Sequence, residues 1–97
     1  MTEITFENGV FRAKGHANYA EQGKDIVCAS ISMLAYTMAV SLDGNSARLL
    51  PGDTEIAYQD TIKNRMIIDA MQKGFSLLAE SYPDYVKVRV IDDAHLI

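Results

Sequence analysis

Cys28 is the one cysteine in the chain, and two chemistries fit it. Free cysteines are among the most buried residue types and usually pack as small hydrophobes, so a structural thiol is the plain alternative. A nucleophilic thiol needs a base within reach and a field that favours the thiolate. His16 precedes Cys28 across an eleven-residue gap. An imidazole there can take the thiol proton and hold the resulting ion pair, the minimum for thiol nucleophilic catalysis. A lone histidine is otherwise a surface or structural residue. Asp25 suits the N-cap of a helix, which puts Cys28 in the first turn, where unpaired N–H groups and the helix dipole favour a thiolate. Those helix-start N–H groups are also the expected donors to an oxyanion. Asp25 either caps the helix alone or also orients His16. Its charge beside the thiol opposes thiolate formation, so activation by Asp25 is the weaker idea. Ser32, one turn beyond Cys28, is either a hydrogen-bond donor in the site or a serine on a helix face.

The elements that must hold these residues are legible in the patterning. Asn8-Gly9 is a strong two-residue turn signal, because a type I′ turn needs positive φ at both positions. It pairs Phe6 with Phe11, Ile4 with Ala13, and Glu3 with Lys14, leaving opposite charges across the strands on the polar face. By period two, His16 leaves this hairpin on the polar side. Residues 15–24 form a connector with Gly15 and Gly23 near its ends, which reads as a mobile cover with little apolar anchorage from Ala17, Tyr19 and Ala20. A helix is predicted from Asp25 to Leu42, with Val27, Ile31, Leu34, Met38 and Leu42 along one stripe. At about 100° per residue, Asp25, Cys28, Ser32 and Tyr36 fall about 120° from that stripe. The cysteine is therefore off the main apolar face.

A second hairpin turns at Pro51-Gly52-Asp53 between strands 47–50 and 55–58. Asp60 or Thr61 caps a second helix that reaches Ser81, with Ile62, Met66, Ala70, Leu77 and Leu78 among its apolar contacts. Tyr85 to Ile91 alternates as a last strand. The order ββαββαβ predicts one α+β domain over residues 1–97, a mostly antiparallel sheet packed with two helices. Ile26 and Met33 project away from the first helix's stripe. Ile67, Ile68, Met71 and Phe75 lie off the Ile62–Ala70 direction of the second. Two broadly apolar helices on one small sheet favour a homodimer.

Composition narrows the classes. The chain has 97 residues and a formal charge of −4, so counterion release from a phosphate backbone is a poor main activity and no stable nucleic-acid binding is expected. Arg12, Lys14, Lys87 and Arg89 form at most a small basic patch, interleaved with Glu3 and Glu7. One cysteine with His16 and His95 makes a four-ligand zinc site improbable, and neither metal nor cofactor is expected. His95, after Asp92-Asp93, reads as a solvent-exposed residue. The first nine residues, MTEITFENG, lack a signal-peptide architecture, and no apolar run reaches a membrane span. The cytoplasm is the expected compartment.

Gly15-His16-Ala17, the gap, and Cys28 within DIVCASIS resemble the ribosomal-processing cysteine protease (Prp) family. The resemblance runs the full chain in length and element order. It implies a small cytoplasmic endopeptidase, usually dimeric, that removes an N-terminal extension from large-subunit ribosomal protein number twenty-seven before ribosome assembly. Its catalytic pair falls on Cys28 and His16, and its supporting residues on Asp25 and Ser32. The family often carries a second alanine where this chain has Ser30, a position that faces away from Cys28. The rival reading is a non-catalytic ribosome-associated domain that binds a peptide or RNA and uses Cys28 structurally.

Overall fold

A computed structural model describes residues 1–91; His95 lies outside them. The strands are β1 (Thr2–Glu7), β2 (Val10–Lys14), β3 (Ser46–Leu50), β4 (Asp53–Ala57) and β5 (Val86–Ile91), and the helices are α1 (Ile26–Ser41) and α2 (Ile62–Ser81). They occur in the order ββαββαβ. The sheet order is β3-β4-β2-β1-β5, antiparallel throughout except for the parallel β1–β5 pair.

The first hairpin has the expected register, with Phe6 opposite Phe11 and Ile4 opposite Ala13. Asn8 (φ 51°) and Gly9 (φ 74°) make the turn. These four side chains are buried on the face that meets the helices. Phe6, Phe11 and Phe75 form one aromatic cluster, with ring centroids 5.1–5.9 Å apart. Val27, Ile31, Ala35, Met38 and Leu42 bury α1 against it, while Leu34 is only half-buried.

The polar face departs from expectation in one respect. Glu3 does stand opposite Lys14, but the Lys14 ammonium pairs with Asp53, and Arg12 Nε bonds Glu55 at 3.0 Å. Each basic residue of β2 lies between two strands, and β4 offers carboxylates in the same rows.

The rotation of α2 is a correction. Ile62, Met66 and Leu77 are 80%, 70% and 64% exposed, and Ala70 is also exposed. Asn64, Ile68 and Phe75 are buried instead, with Ile67, Met71 and Leu78 packed partly against the core. Asn64 explains the choice. Its amide donates to the carbonyls of Asp43 and Gln59, and its Oδ1 accepts from Asp43 N–H. A buried amide satisfied three times in this way locks the helix about its axis. Periodicity alone could not decide, because α2 carries two apolar stripes.

Candidate active site

Cys28 enters the site because α1 starts where it does. Asp25 has extended backbone and caps the helix, its Oδ1 accepting from the N–H groups of Val27 (3.0 Å) and Cys28 (2.9 Å). Its Oδ2 accepts from Tyr19 (2.9 Å) and Ala20 (3.3 Å) in the connector. Desolvation alone would raise this carboxyl's pKa. The four backbone donors, Cys28 N–H foremost, outweigh it and hold the pKa below the ordinary carboxylate value. One side chain thus fixes the helix start and the loop before it.

That arrangement favours the capping reading of Asp25 and changes one expectation about the oxyanion donors. Both carboxylate oxygens of Asp25 are engaged by backbone, and among the described residues Asp25 makes no hydrogen bond to His16. The N–H groups of Val27 and Cys28 are also taken, so they are not free oxyanion donors while Asp25 caps the helix.

His16 follows β2 and is exposed. Its carbonyl accepts from the terminal ammonium of Met1 at 2.8 Å, and the preceding Gly15 N–H bonds Gly52 O at 2.9 Å. Cys28 is half-buried: it packs partly against the core and also lines the cleft. A cleft of 260 Å³ lies between α1 and the β3–β4 turn. Cys28, Ser32 and Tyr36 line it from the helix, His16 from the end of β2, and Leu49 to Thr54 from the second hairpin. The structure therefore gathers Cys28, His16 and Ser32 around one cavity, and Asp25 is not among the residues that line it. Among the described residues no hydrogen bond joins Cys28 to His16. Such bonds are commonly long in an unliganded site and tighten around substrate.

The connector is better anchored than its composition suggests. Ala17 is 1% exposed within the core. The Tyr19 ring packs edge-on against Tyr82 and Tyr85, at 5.3 and 5.2 Å. Both tyrosines follow α2, so the local sequence carries no sign of this contact. Gly15, though exposed, is crowded on the side where a Cβ would sit, 2.5 Å from Met1 O. Gly23 is open, with nothing within 4 Å of an added Cβ. Ser30 lies away from the cleft, its Oγ bonded to Ile26 O at 2.7 Å in the groove between the helices.

The wall from the second hairpin was not identifiable as part of the site. Its Pro-Gly signal marks a turn, and only the β2–β4 pairing brings that turn beside His16.

A thiol, an imidazole and a hydroxyl around one open cleft can together carry out thiol-dependent acyl transfer. The family model of the cysteine protease Prp matches residues 1–87, and the chain belongs to that family of ribosomal processing cysteine proteases. A ribosomal processing cysteine protease Prp from Mycoplasma genitalium is 28% identical over 93 residues, covering 91% of this chain and 94% of that protein. The fold is also that of the essential ribosomal processing protease Prp from S. aureus. Its crystal structure with a covalently linked product peptide has a TM-score of 0.75 at 20% identity, covering 93% of this chain and 97% of that one. A second S. aureus structure, with a substrate peptide, has a TM-score of 0.71 at 20% identity and the same coverage.

Proposed function

We propose that this protease removes the N-terminal extension from the precursor of large-subunit ribosomal protein number twenty-seven, in the cytoplasm, with Cys28 as nucleophile and His16 as base and then acid. The observation that carries the reading is the shared cleft: in a chain of the Prp family, a first-turn cysteine and the Gly-His histidine line one cavity. Peptides bound to the S. aureus relative support a peptide as substrate class.

The chemistry balances over two steps. His16 takes the Cys28 proton as Sγ attacks the scissile carbonyl, and the tetrahedral adduct collapses as the imidazolium protonates the leaving amine. Water, deprotonated by the same imidazole, then attacks the thioester; the C–Sγ bond breaks, the carboxylate product leaves, and the Cys28 thiolate is restored and can take back the proton held on the imidazolium. Ser32 Oγ has no hydrogen-bond partner among the described residues and lines the cleft, so its hydroxyl is the donor assigned to the developing oxyanion. Asp25 supports the site indirectly, by capping α1 and holding the connector. Gly23, in open surroundings, is the freer end of a connector that moves over bound peptide.

The working unit is a second reading, carried by its own observation. Ile26 (54%), Met33 (66%) and Leu77 (64%) stay exposed around an apolar groove between the outer faces of α1 and α2. Ile62 and Met66 extend that surface along α2. An apolar surface of this kind, formed by the outer faces of two adjacent helices, suits a second copy of this chain about a two-fold axis. Sedimentation at micromolar concentration should report about twice 10.7 kDa; a monomer mass would reject the dimer.

The function is tested by incubating the protein with the tagged, extended ribosomal precursor and reading the product by mass. Wild type should release the extension as one fragment, and Cys28→Ser should retain less than about a thousandth of that rate. An intact precursor with wild type would refute the substrate, and cleavage by Cys28→Ser at the wild-type rate would refute the mechanism.

A further inference from the structure

We propose that Gly52 is a positioning residue for His16, and that the β3–β4 turn is the seat on which the imidazole rests. The inference builds on the reading of His16 as the proton-transfer group and adds what locates its ring.

Pro51-Gly52 joins β3 to β4, and Gly52 has φ +68°. Proline followed by a left-handed glycine is the signature of a type II turn, so glycine is favoured here for the backbone alone. A second demand is independent of the first. A Cβ at position 52 would lie 2.6 Å from His16 Nε2, 2.8 Å from Cε1 and 3.2 Å from Cδ2. The Nε2 end of the ring therefore occupies space that every other residue type would fill. The same turn holds the backbone before the ring, through the bond from Gly15 N–H to Gly52 O.

No hydrogen bond among the described residues orients the ring. The imidazole makes no hydrogen bond among them, and Asp25, the carboxylate best placed in sequence to orient it, is spent on four backbone N–H groups. The ring is exposed, so without a seat its rotamers would be shared between the cleft and solvent. A displacement of about 1 Å in a proton-transfer group costs on the order of 100-fold in rate.

The test compares Gly52→Asn and Gly52→Ala with wild type. Asparagine tolerates left-handed backbone, so Gly52→Asn introduces the Cβ with the least turn strain. Gly44→Ala is the control for turn strain together with displacement of a flexible side chain outside the cleft. Its φ is +63°, and an added Cβ there meets only the flexible Gln59 side chain. Three readouts are taken: kcat and KM for precursor cleavage, the rate of native Cys28 alkylation at neutral pH, and the His16 Cε1–Hε1 NMR shift. Both Gly52 variants should lose about 100-fold in kcat with little change in KM, slow alkylation, and move the His16 resonance. Gly44→Ala should alter none of these. In a His16→Ala background, Gly52→Asn should not slow Cys28 alkylation further.

Wild-type kcat in Gly52→Asn, or lost kcat with an unmoved His16 resonance, overturns the proposal. Should the variants fail to fold, the wild-type protein still decides it, because a seated ring requires an NOE between His16 Hε1 and Gly52 Hα. Its absence rejects the seat. If His16→Ala leaves turnover and alkylation unchanged, the catalytic reading of His16 falls instead, and the NOE still reports on the seat separately.

Discussion

Asp25 offers the sharpest quantitative test, because its two oxygens serve different parts of the structure. Oδ1 caps α1 through Val27 and Cys28, and Oδ2 ties down Tyr19 and Ala20. Asp25→Ala removes all four acceptor contacts, and loss of an N-cap costs about 1–2 kcal/mol. For a domain of this size, each kcal/mol lowers Tm by about 4–8 °C. Asp25→Asn keeps one carbonyl oxygen for the helix but turns an NH₂ group toward the Tyr19 and Ala20 donors. It should cost about half as much as Asp25→Ala and loosen the connector selectively. The pH dependence follows from the depressed carboxyl. A group whose folded pKa lies below its unfolded value of 3.8 contributes stability that is present above 3.8 and lost as pH falls through the folded value. The gap in stability between wild type and Asp25→Asn should therefore be widest near neutrality and close on acidification below 3.8. Thermal unfolding across pH, with amide exchange at Tyr19 and Ala20, measures both effects. Equal Tm losses in the two variants, or a gap that persists at the acid end, would refute the division of labour between the oxygens.

Other outcomes can be checked alongside. His16→Ala should keep the fold, abolish turnover and slow native alkylation of Cys28 by iodoacetamide; unchanged alkylation would mean the two groups do not interact. Phe75→Ala should cost about 3–5 kcal/mol in denaturant unfolding, because Phe75 is fully buried in the aromatic cluster, whereas Ile62→Ala should cost less than about 0.5 kcal/mol of protomer stability. The reverse order would contradict the rotation of α2. Amide exchange at residues 21–23 should be fast without peptide and slow with an uncleaved peptide on Cys28→Ser, while Ala17 stays protected in both. No change at residues 21–23 on peptide binding would remove the connector from the site.

Much of this protein was settled by local patterning. The Asn8-Gly9 turn set the pairing of Phe6 with Phe11, because a two-residue loop leaves one register open to its strands. Asp25 marked the start of α1, and period 3.6 then placed Cys28 off the core stripe beside Ser32, where both line the cleft. The Gly-His and Cys spacing carried the family resemblance. These signals need only neighbours in sequence or fixed helical and strand geometry.

What remained depended on contacts between residues far apart in the chain. α2 has two apolar stripes of similar length, and three hydrogen bonds of Asn64 to Asp43 and Gln59 select the one that is buried. Tyr19 finds its partners only because Tyr82 and Tyr85 return beside the connector. Gly52 reads as a turn glycine until the β2–β4 pairing carries its Cα under His16. Sequence alone thus determined the elements and marked Cys28, His16 and Ser32 as candidates. The tertiary structure decided which faces are buried and which residues stand beside the imidazole, because helix rotation and cross-strand neighbours are set by contacts that local periodicity does not encode.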